Sequence, residues 1–455
     1  MKFKTILLGS AALAMMAAPA VAQDAPKKHH HHHSMHADHV VAGPSSIDAR
    51  IDQLEQEVHD LKAQQAAAQT APADAVSQAQ FEALQNQVYE EQASTQSLVK
   101  SSWWSNTKIG GRIYWDITNI DAKASKGGVS TKSNQDGFNY DIKRAYLIID
   151  HKFNDTWSAN VTTDVTYDGT TKASQLFLKK AYVQAAFAPW FTVRAGSADL
   201  PWVPFVEGVY GYRYVENTLI DRTKFGTSAD WGAHFLGTFD LGGPTLGYAF
   251  SAVNGFGYKL APIGAGASNP ATTPANTNRG KGIDLEGRVN LNWDGFVAAV
   301  GGYNGKLGND FDGTATVTHH TANRFDALLA YTTDEFRIGG EYFSASNYKS
   351  VTATTGTKAD GYSAFASWQF DPMWSVFGRY DWVKPTNALT GGKKQSNEYY
   401  NLGVSYSPIK QLDFALVYKH DGVDNGSFSD SEFNDLAGTT HGTYNEVGLF
   451  GQVNF

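Results

Sequence analysis

From Lys108 onward, lysines and arginines occupy one phase of short runs whose other phase is apolar. Lys108, Arg112, Arg144, Lys180, Arg194 and Arg288 fall this way, as do Lys152, Arg324, Arg337, Arg379 and Lys419. Arg213, Arg222 and Lys224 crowd a single long polar connection between Asp199 and Asp230. Such a set performs no covalent step. It can take part of the water from an anion and replace it with charge and hydrogen bonds, which is the chemistry of a binding or permeation site. The same polar phase carries Asp116, Asp150, Asp164, Asp284, Glu286, Asp326, Glu341, Asp381 and Glu446, so pairing is expected to shrink the net field. Nucleophilic catalysis lacks its parts: there is no cysteine, and His151, His234, His319, His320, His420 and His441 show no motif joining them to a nucleophile. Gly255-Phe256-Gly257 and Gly264-Ala265-Gly266 sit in a connection without a βαβ unit, which excludes a nucleotide cradle.

The elements that must position these residues are strands. Trp157, Ala159, Val161, Thr163 and Val165 alternate with Ser158, Asn160, Thr162 and Asp164; Ile283 to Leu291 and Arg324 to Tyr331 repeat the pattern. Period-two alternation marks a strand apolar on one face and wet on the other. Tight connections rich in Asn, Asp, Gly and Pro occur at 153–157, 187–190, 241–244, 293–296, 332–336, 370–374 and 407–411, and most are flanked by Phe or Trp. Long polar connections lie near 120–139, 168–173, 199–229, 255–280, 305–321, 346–358, 385–395 and 422–441. Seven tight turns alternating with eight long loops require sixteen strands. The expectation is an all-β, 16-stranded antiparallel transmembrane β-barrel over 105–455, because closure satisfies every backbone group that lipid cannot. A barrel of that size leaves an aqueous channel. The connection from Asp199 to Asp230 is the candidate constriction.

Both ends of the chain agree with a barrel beyond the inner membrane. Lys2 and Lys4, the apolar run Ile6–Ala18 and the site Ala20-Val21-Ala22 read as a signal peptide, residues 1–22. No later stretch reaches the ~18 consecutive apolar residues of a spanning helix. Without cysteine there is no disulfide framework. Gly 44 and Tyr 22, Phe 26 and Trp 11 against Met 5 suit a glycine- and aromatic-rich barrel, and the net charge of -8 argues against a nucleic-acid partner. Residues 23–44 form a His-rich polar linker. His29 to His33, with His36 and His39, read equally as a metal-binding tract, an added expression tag or a native linker. Over 45–100, Ile47, Ile51, Leu54, Val58 and Leu61 fall at spacings of four and three, and Phe81, Leu84, Val88 and Leu98 repeat this less cleanly. A short periplasmic α-helical coiled coil is one reading, and a single amphipathic helix the other. At the far end, Val447, Leu449, Gly451, Val453 and Phe455 share an apolar face. The ending resembles the closing strand of bacterial outer-membrane barrels, and this resemblance implies that the terminal Phe455 closes the barrel and serves as its assembly signal.

These residues together resemble a family, the phosphate-selective porins O and P. The resemblance spans roughly Lys108 to Phe455. It is carried by Lys143-Arg144-Ala145-Tyr146-Leu147, Lys179-Lys180-Ala181-Tyr182-Val183, Val193-Arg194-Ala195-Gly196 leading to Pro204-Phe205, and Asp221-Arg222 followed by Ala229-Asp230-Trp231-Gly232. It implies a trimeric outer-membrane porin with its N-terminal segment in the periplasm, giving passive diffusion of small solutes with preference for anions such as phosphate or polyphosphate. Partners implied are outer-membrane lipid and lipopolysaccharide, small anions, and the barrel-assembly machinery; no cofactor or metal is called for. Asp199, in Gly196-Ser197-Ala198-Asp199, stands where the family often has a basic or neutral group, which counts against phosphate specificity. A barrel acting in adhesion, and a barrel enzyme, are the alternatives.

Overall fold

A computed structural model describes residues 54–63, 86–91, 103–126, 128–133, 135–168, 173–259, 282–309, 318–385, 389–390, 393–425 and 441–455. The chain divides into two units, Met1–Glu91 and Gln92–Phe455. In the first, residues 54–63 and 86–91 are helical. The expected signal peptide (1–22) and His-rich linker (23–44) lie outside the described residues, as does most of 45–100.

The second unit is a sheet rolled shut. Its staves are β1 (Thr107–Lys126), β2 (Gly137–Lys152), β3 (Trp157–Asp168), β4 (Ala173–Ala188), β5 (Phe191–Asp199) and β6 (Ala229–Asp240). There follow β7 (Thr245–Val253), β8 (Asp284–Trp293), β9 (Phe296–Gly305), β10 (Ala322–Thr332) and β11 (Phe336–Ser346). The last five are β12 (Lys358–Asp371), β13 (Trp374–Pro385), β14 (Ser396–Ile409), β15 (Leu412–Asp424) and β16 (His441–Asn454). A short ribbon, Val129–Lys132, extends β1 at the long-loop end. Each stave pairs antiparallel with its sequence neighbour, and β16 pairs with β1 from Arg112↔Asn454 to Ser125↔His441. All sixteen staves, seven tight turns and eight long connections fall where the alternation and turn residues place them. The β8–β9 hairpin shows why: Asp294 and Gly295 carry φ of 47° and 81°, the pair of left-handed residues that a two-residue turn needs to match strand twist.

Face parity follows the pleat. Val161, Leu285, Val289 and Leu329 are exposed on the outside, while Asn160, Asp164, Asp284, Glu286, Arg324 and Asp326 are buried inside. The ladders shift register at five places: three lie beside tight turns, at Ala186/Ala188, Gln369/Asp371 and Tyr406/Ile409, and two within the wall. In the β1–β2 ladder Tyr114 pairs with Arg144 and Trp115 with Ile142, so Lys143 is an extra residue. In the β3–β4 ladder Thr162 pairs with Lys180 and Thr163 with Leu178, so Lys179 is extra. Each is a β-bulge placed at a dibasic pair, and it turns both cations of the pair inward. Lys143 Nζ reaches the Val215 carbonyl at 3.1 Å, and Lys179 Nζ the Tyr146 hydroxyl at 3.1 Å.

The interior is not uniformly wet. Val297, Ala299, Leu328, Ala330, Phe343 and Phe365 line the inner wall of β9–β12 and bury against one apolar cluster with Trp202, Val203, Val206, Leu219, Ile220 and Phe225 of the 200–228 connection. Part of the lumen is therefore a dry core, covered by a loop.

Candidate functional site

The connection from 200 to 228 enters the barrel. It holds α1 (Val203–Tyr210) and the single turn α2 (Leu219–Arg222). Pro204 sits in the first turn of α1, where its missing N–H costs nothing, and Gly211 closes the helix in a left-handed conformation. Apolar burial fixes the face of the loop, and polar anchors fix its position. The Trp202 backbone N–H donates to Glu286 Oε1 at 3.0 Å and its indole Nε1 to Glu341 Oε1 at 2.7 Å. Arg337 Nη1 donates to the Gly208 and Val209 carbonyls at the C-terminal end of α1, where the helix dipole favours a cation. Tyr212 stacks on Phe377 with centroids 4.0 Å apart. Lys349 donates to the Thr223 carbonyl and Arg324 Nη1 to the Phe225 carbonyl, the latter at 2.7 Å.

Arg222 is the deepest anchor. Its Nε meets Asp381 Oδ2 at 3.1 Å, Nη1 meets Asp421 Oδ2 at 2.9 Å, and Nη2 donates to Asn397 Oδ1 at 2.9 Å. Its guanidinium also lies over the Tyr399 ring at 4.3 Å. A further anchor joins Glu216 to Lys419, Oε2 to Nζ 3.2 Å, with Glu446 Oε2 on the other side of that ammonium at 3.0 Å. Burial raises the Glu216 carboxyl, but Lys419, Lys143 and Arg379 overrule it and hold it well below the usual carboxylate range. The loop is thereby fastened to the β8–β16 side.

What remains open is a cavity of ≈ 750 Å³ between the loop and the β1–β3 wall, bordered by Tyr444 and Glu446 of β16. Among the described residues its lining carries six basic and five acidic side chains, so the field is divided rather than strongly positive. Arg144, Arg213 and Lys224 of the expected set line it, joined by Lys143 and Lys259. Arg144 Nη1 pairs with Asp164 Oδ2 at 2.8 Å, and Arg213 pairs with Glu207 and, at 3.6 Å, with Asp221. Lys224 and Lys259 make no ion pair with a described residue; the Lys224 ammonium donates only to the Asp221 carbonyl at 3.3 Å. Lys259 follows β7. Burial, then the nearby Arg144 and Lys224, push its ammonium below the ordinary lysine range.

The other sequence-derived candidates lie elsewhere. Arg222 is wholly enclosed by its carboxylate cage and does not face the cavity. Arg288 Nη1 donates to the Pro201 carbonyl at 2.9 Å and its guanidinium lies 3.8 Å from the Phe205 ring centroid, so it holds the loop. Lys180 pairs with Asp199 at 2.6 Å, and Arg194 Nε donates to Gln184 at 2.8 Å beneath the Tyr182 ring. Arg112 Nε donates to Asn454 Oδ1 at 2.7 Å near the tight-turn rim, and Lys108 lies exposed two turns of the pleat below it. Strict parity missed Lys143 and Lys179, which the dibasic pairs themselves signal, and missed Lys259, which belongs to a connection with no period. A serine–histidine pair is also present: His234 Nδ1 lies 2.8 Å from Ser251 Oγ. Both residues are buried, and the second ring nitrogen faces the Gly196 carbonyl at 3.3 Å, so a backbone group stands where a catalytic dyad needs a carboxylate.

Residues 107–204 match the family described as phosphate-selective porin O and P. Among solved structures, the anion-selective porin from Comamonas acidovorans is 12% identical with a TM-score of 0.51, covering 77% of this chain and 99% of that one. The outer membrane channel DcaP of Acinetobacter baumannii is 12% identical with a TM-score of 0.50, covering 77% of this chain and 97% of that one. At these identities the likeness is one of fold. No curated protein sequence matches the chain.

Proposed function

We propose that this chain, with the porin fold and a phosphate-selective porin O and P match over 107–204, is a passive outer-membrane channel for small hydrophilic solutes, favouring anions mildly. The observation that carries the reading is the geometry of the 200–228 loop. Fastened to the β8–β16 side, it leaves a cavity against β1–β3 in which Lys224 and Lys259 have no ionic partner among the described residues. The same cavity holds Asp116, Asp141, Glu216 and Glu446, so a doubly charged phosphate gains on one part of the lining and is repelled by another. A phosphate-specific site is not what this lining favours. A homotrimer, contact with lipopolysaccharide and delivery by the barrel-assembly machinery belong to the same proposal. A coiled coil over 45–100 does too.

Single channels in planar bilayers under a salt gradient test it. The expected reversal potential has the sign of mild anion preference. Arg144→Gln, Lys224→Gln and Lys259→Gln combined should lower the chloride-to-potassium permeability ratio by about threefold or more, since each solvated charge contact is worth ~0.2–1 kcal/mol. Absence of conductance would overturn the channel reading, and cation preference in the wild type would overturn the anion reading alone.

Lys259 gives a pH signature. Its depressed pKa means that it loses its proton as pH rises, earlier than an ordinary lysine near ~10.4. Anion preference should therefore decline on the alkaline side before that point. Lys259→Arg should flatten the decline, because guanidinium keeps its charge; an identical pH profile in that variant would assign the decline to another group.

A further inference from the structure

The acidic part of the cavity has its own organisation. Asp116 of β1 and Asp141 of β2 are direct cross-strand partners, and both face the cavity. Like charges on one rung destabilise a sheet unless something offsets them. The offset within the protein is small. Asp116 is 7% exposed, accepts no hydrogen bond from a described residue, and has Lys143 at 3.8 Å as its ion pair. That ammonium is itself turned to the Val215 carbonyl at 3.1 Å and the Phe450 ring at 5.1 Å. Glu446 adds a further carboxylate nearby, shared with Lys419.

The basic part is carried largely by connections, Lys224 and Lys259, with Arg144 from β2. Lys224 follows α2 with φ of 59°, a left-handed conformation that costs a non-glycine residue on the order of 1 kcal/mol or more. Arg144 and Lys259 line the same cavity, and Arg144 and Lys224 both act on the Lys259 ammonium. The rest of the lining includes Tyr114, Ile120, Phe138, Val165, Tyr167 and Tyr214. The space therefore offers a carboxylate pole, an ammonium–guanidinium pole and apolar or aromatic walls. With a water taking ~30 Å³, a cavity of ≈ 750 Å³ admits a solute of several heavy atoms with part of its hydration shell.

We propose that the cavity selects dipolar solutes, molecules bearing both a carboxylate and an ammonium on a small apolar body, such as amino acids and short peptides. This rests on the channel reading. An inorganic anion gains at the basic pole and is repelled at the Asp116–Asp141 rung; a simple cation meets the reverse. A dipolar solute satisfies both poles at once and carries no net charge through.

Proteoliposome swelling with the full chain tests this using two isomers of equal mass and zero net charge, 4-aminobutyrate, which is zwitterionic, and 4-hydroxybutanamide, which is not. Rates are taken relative to protein-free liposomes. The zwitterion should enter about two- to fivefold faster, the range expected from one or two solvated charge contacts. Asp141→Asn and Lys259→Gln should each bring the ratio toward one. Asp141→Asn should also shift the reversal potential further toward anions, and Lys259→Gln toward cations, which a merely structural role would not do. A wild-type ratio at or below one overturns the proposal, as does a ratio that neither variant changes. Absence of swelling with both isomers overturns the channel reading, and the proposal falls with it.

Discussion

Arg222→Leu is expected to free the constriction loop, raising single-channel conductance with added current noise and lowering the temperature at which the folded barrel denatures. The physical reason is the cage around the guanidinium. Arg222 and its two carboxylate partners are fully buried, and three of its nitrogens meet Asp381, Asp421 and Asn397 within 3.1 Å. Removing one member of a buried ion cluster leaves charge in a poor solvent, which costs ~3–5 kcal/mol. Asp381 retains Arg379, whose Nη2 lies at 2.9 Å, whereas Asp421 loses the guanidinium that meets it at 2.9 Å. The loop can relieve that cost by leaving the wall and admitting water. Replacing the cage as a whole, with Arg222→Met, Asp421→Leu and Asn397→Leu together, should recover much of the loss, since well-packed apolar groups often match a buried ion cluster. Thermal denaturation followed by heat-modified electrophoretic mobility, beside single-channel recordings, provides the check. Wild-type conductance and stability in Arg222→Leu would show that the apolar core alone holds the loop.

Phe455→Ala should reduce the amount of folded barrel in the membrane by about tenfold while leaving the conductance of each inserted barrel unchanged. The terminal residue is the last rung of the closing seam: its N–H donates to the Gly111 carbonyl at 3.1 Å, and the Gly111 N–H donates to the Phe455 carbonyl at 2.8 Å. Its ring covers Gly111 so closely that a Cβ there would lie 2.3 Å from Cζ, while 65% of the residue is exposed on the outer face. The alanine variant keeps both backbone bonds and loses only the ring, worth ~1.5–3 kcal/mol when placed in hydrocarbon and so at least about a tenfold change in an equilibrium. Quantifying folded protein in outer-membrane fractions, beside unitary conductance, separates assembly from permeation. Equal yield of the two proteins would leave the ring without a role in closure.

Much of the barrel was legible because its signals are local. Asp294-Gly295 specifies its own turn, and the alternation from Ser158 to Val165 specifies its own faces, so sixteen staves and their connections follow from short windows. The candidate site was legible only in part. Arg144, Arg213 and Lys224 line the cavity, whereas Arg222, from the same connection as Arg213 and Lys224, and Arg288, on the same polar phase as Arg144, hold a loop in place. Nothing within a few residues of Arg222 distinguishes the two outcomes, because Asp381 and Asp421 are 159 and 199 positions away. One signal was available: Phe296 to Gly302 and Ala327 to Tyr331 are apolar or small on both phases, which marks strands whose inner face is also dry.

The sequence by itself determined a closed β-barrel, its turn rhythm, its wet and lipid-facing phases and its closing aromatic. Each of these depends on period, turn chemistry and the absence of water in a bilayer, all of which act within one strand or one hairpin. Only the tertiary structure decided which cations are exposed to solute. That depends on bulges that shift parity at Lys143 and Lys179, and on a loop folding back against strands far along the chain. It depends also on whether a carboxylate from another stave comes within reach of a given cation. Charge at a position is a property of the residue; whether that charge is spent on the protein or offered to a solute is a property of the assembled barrel.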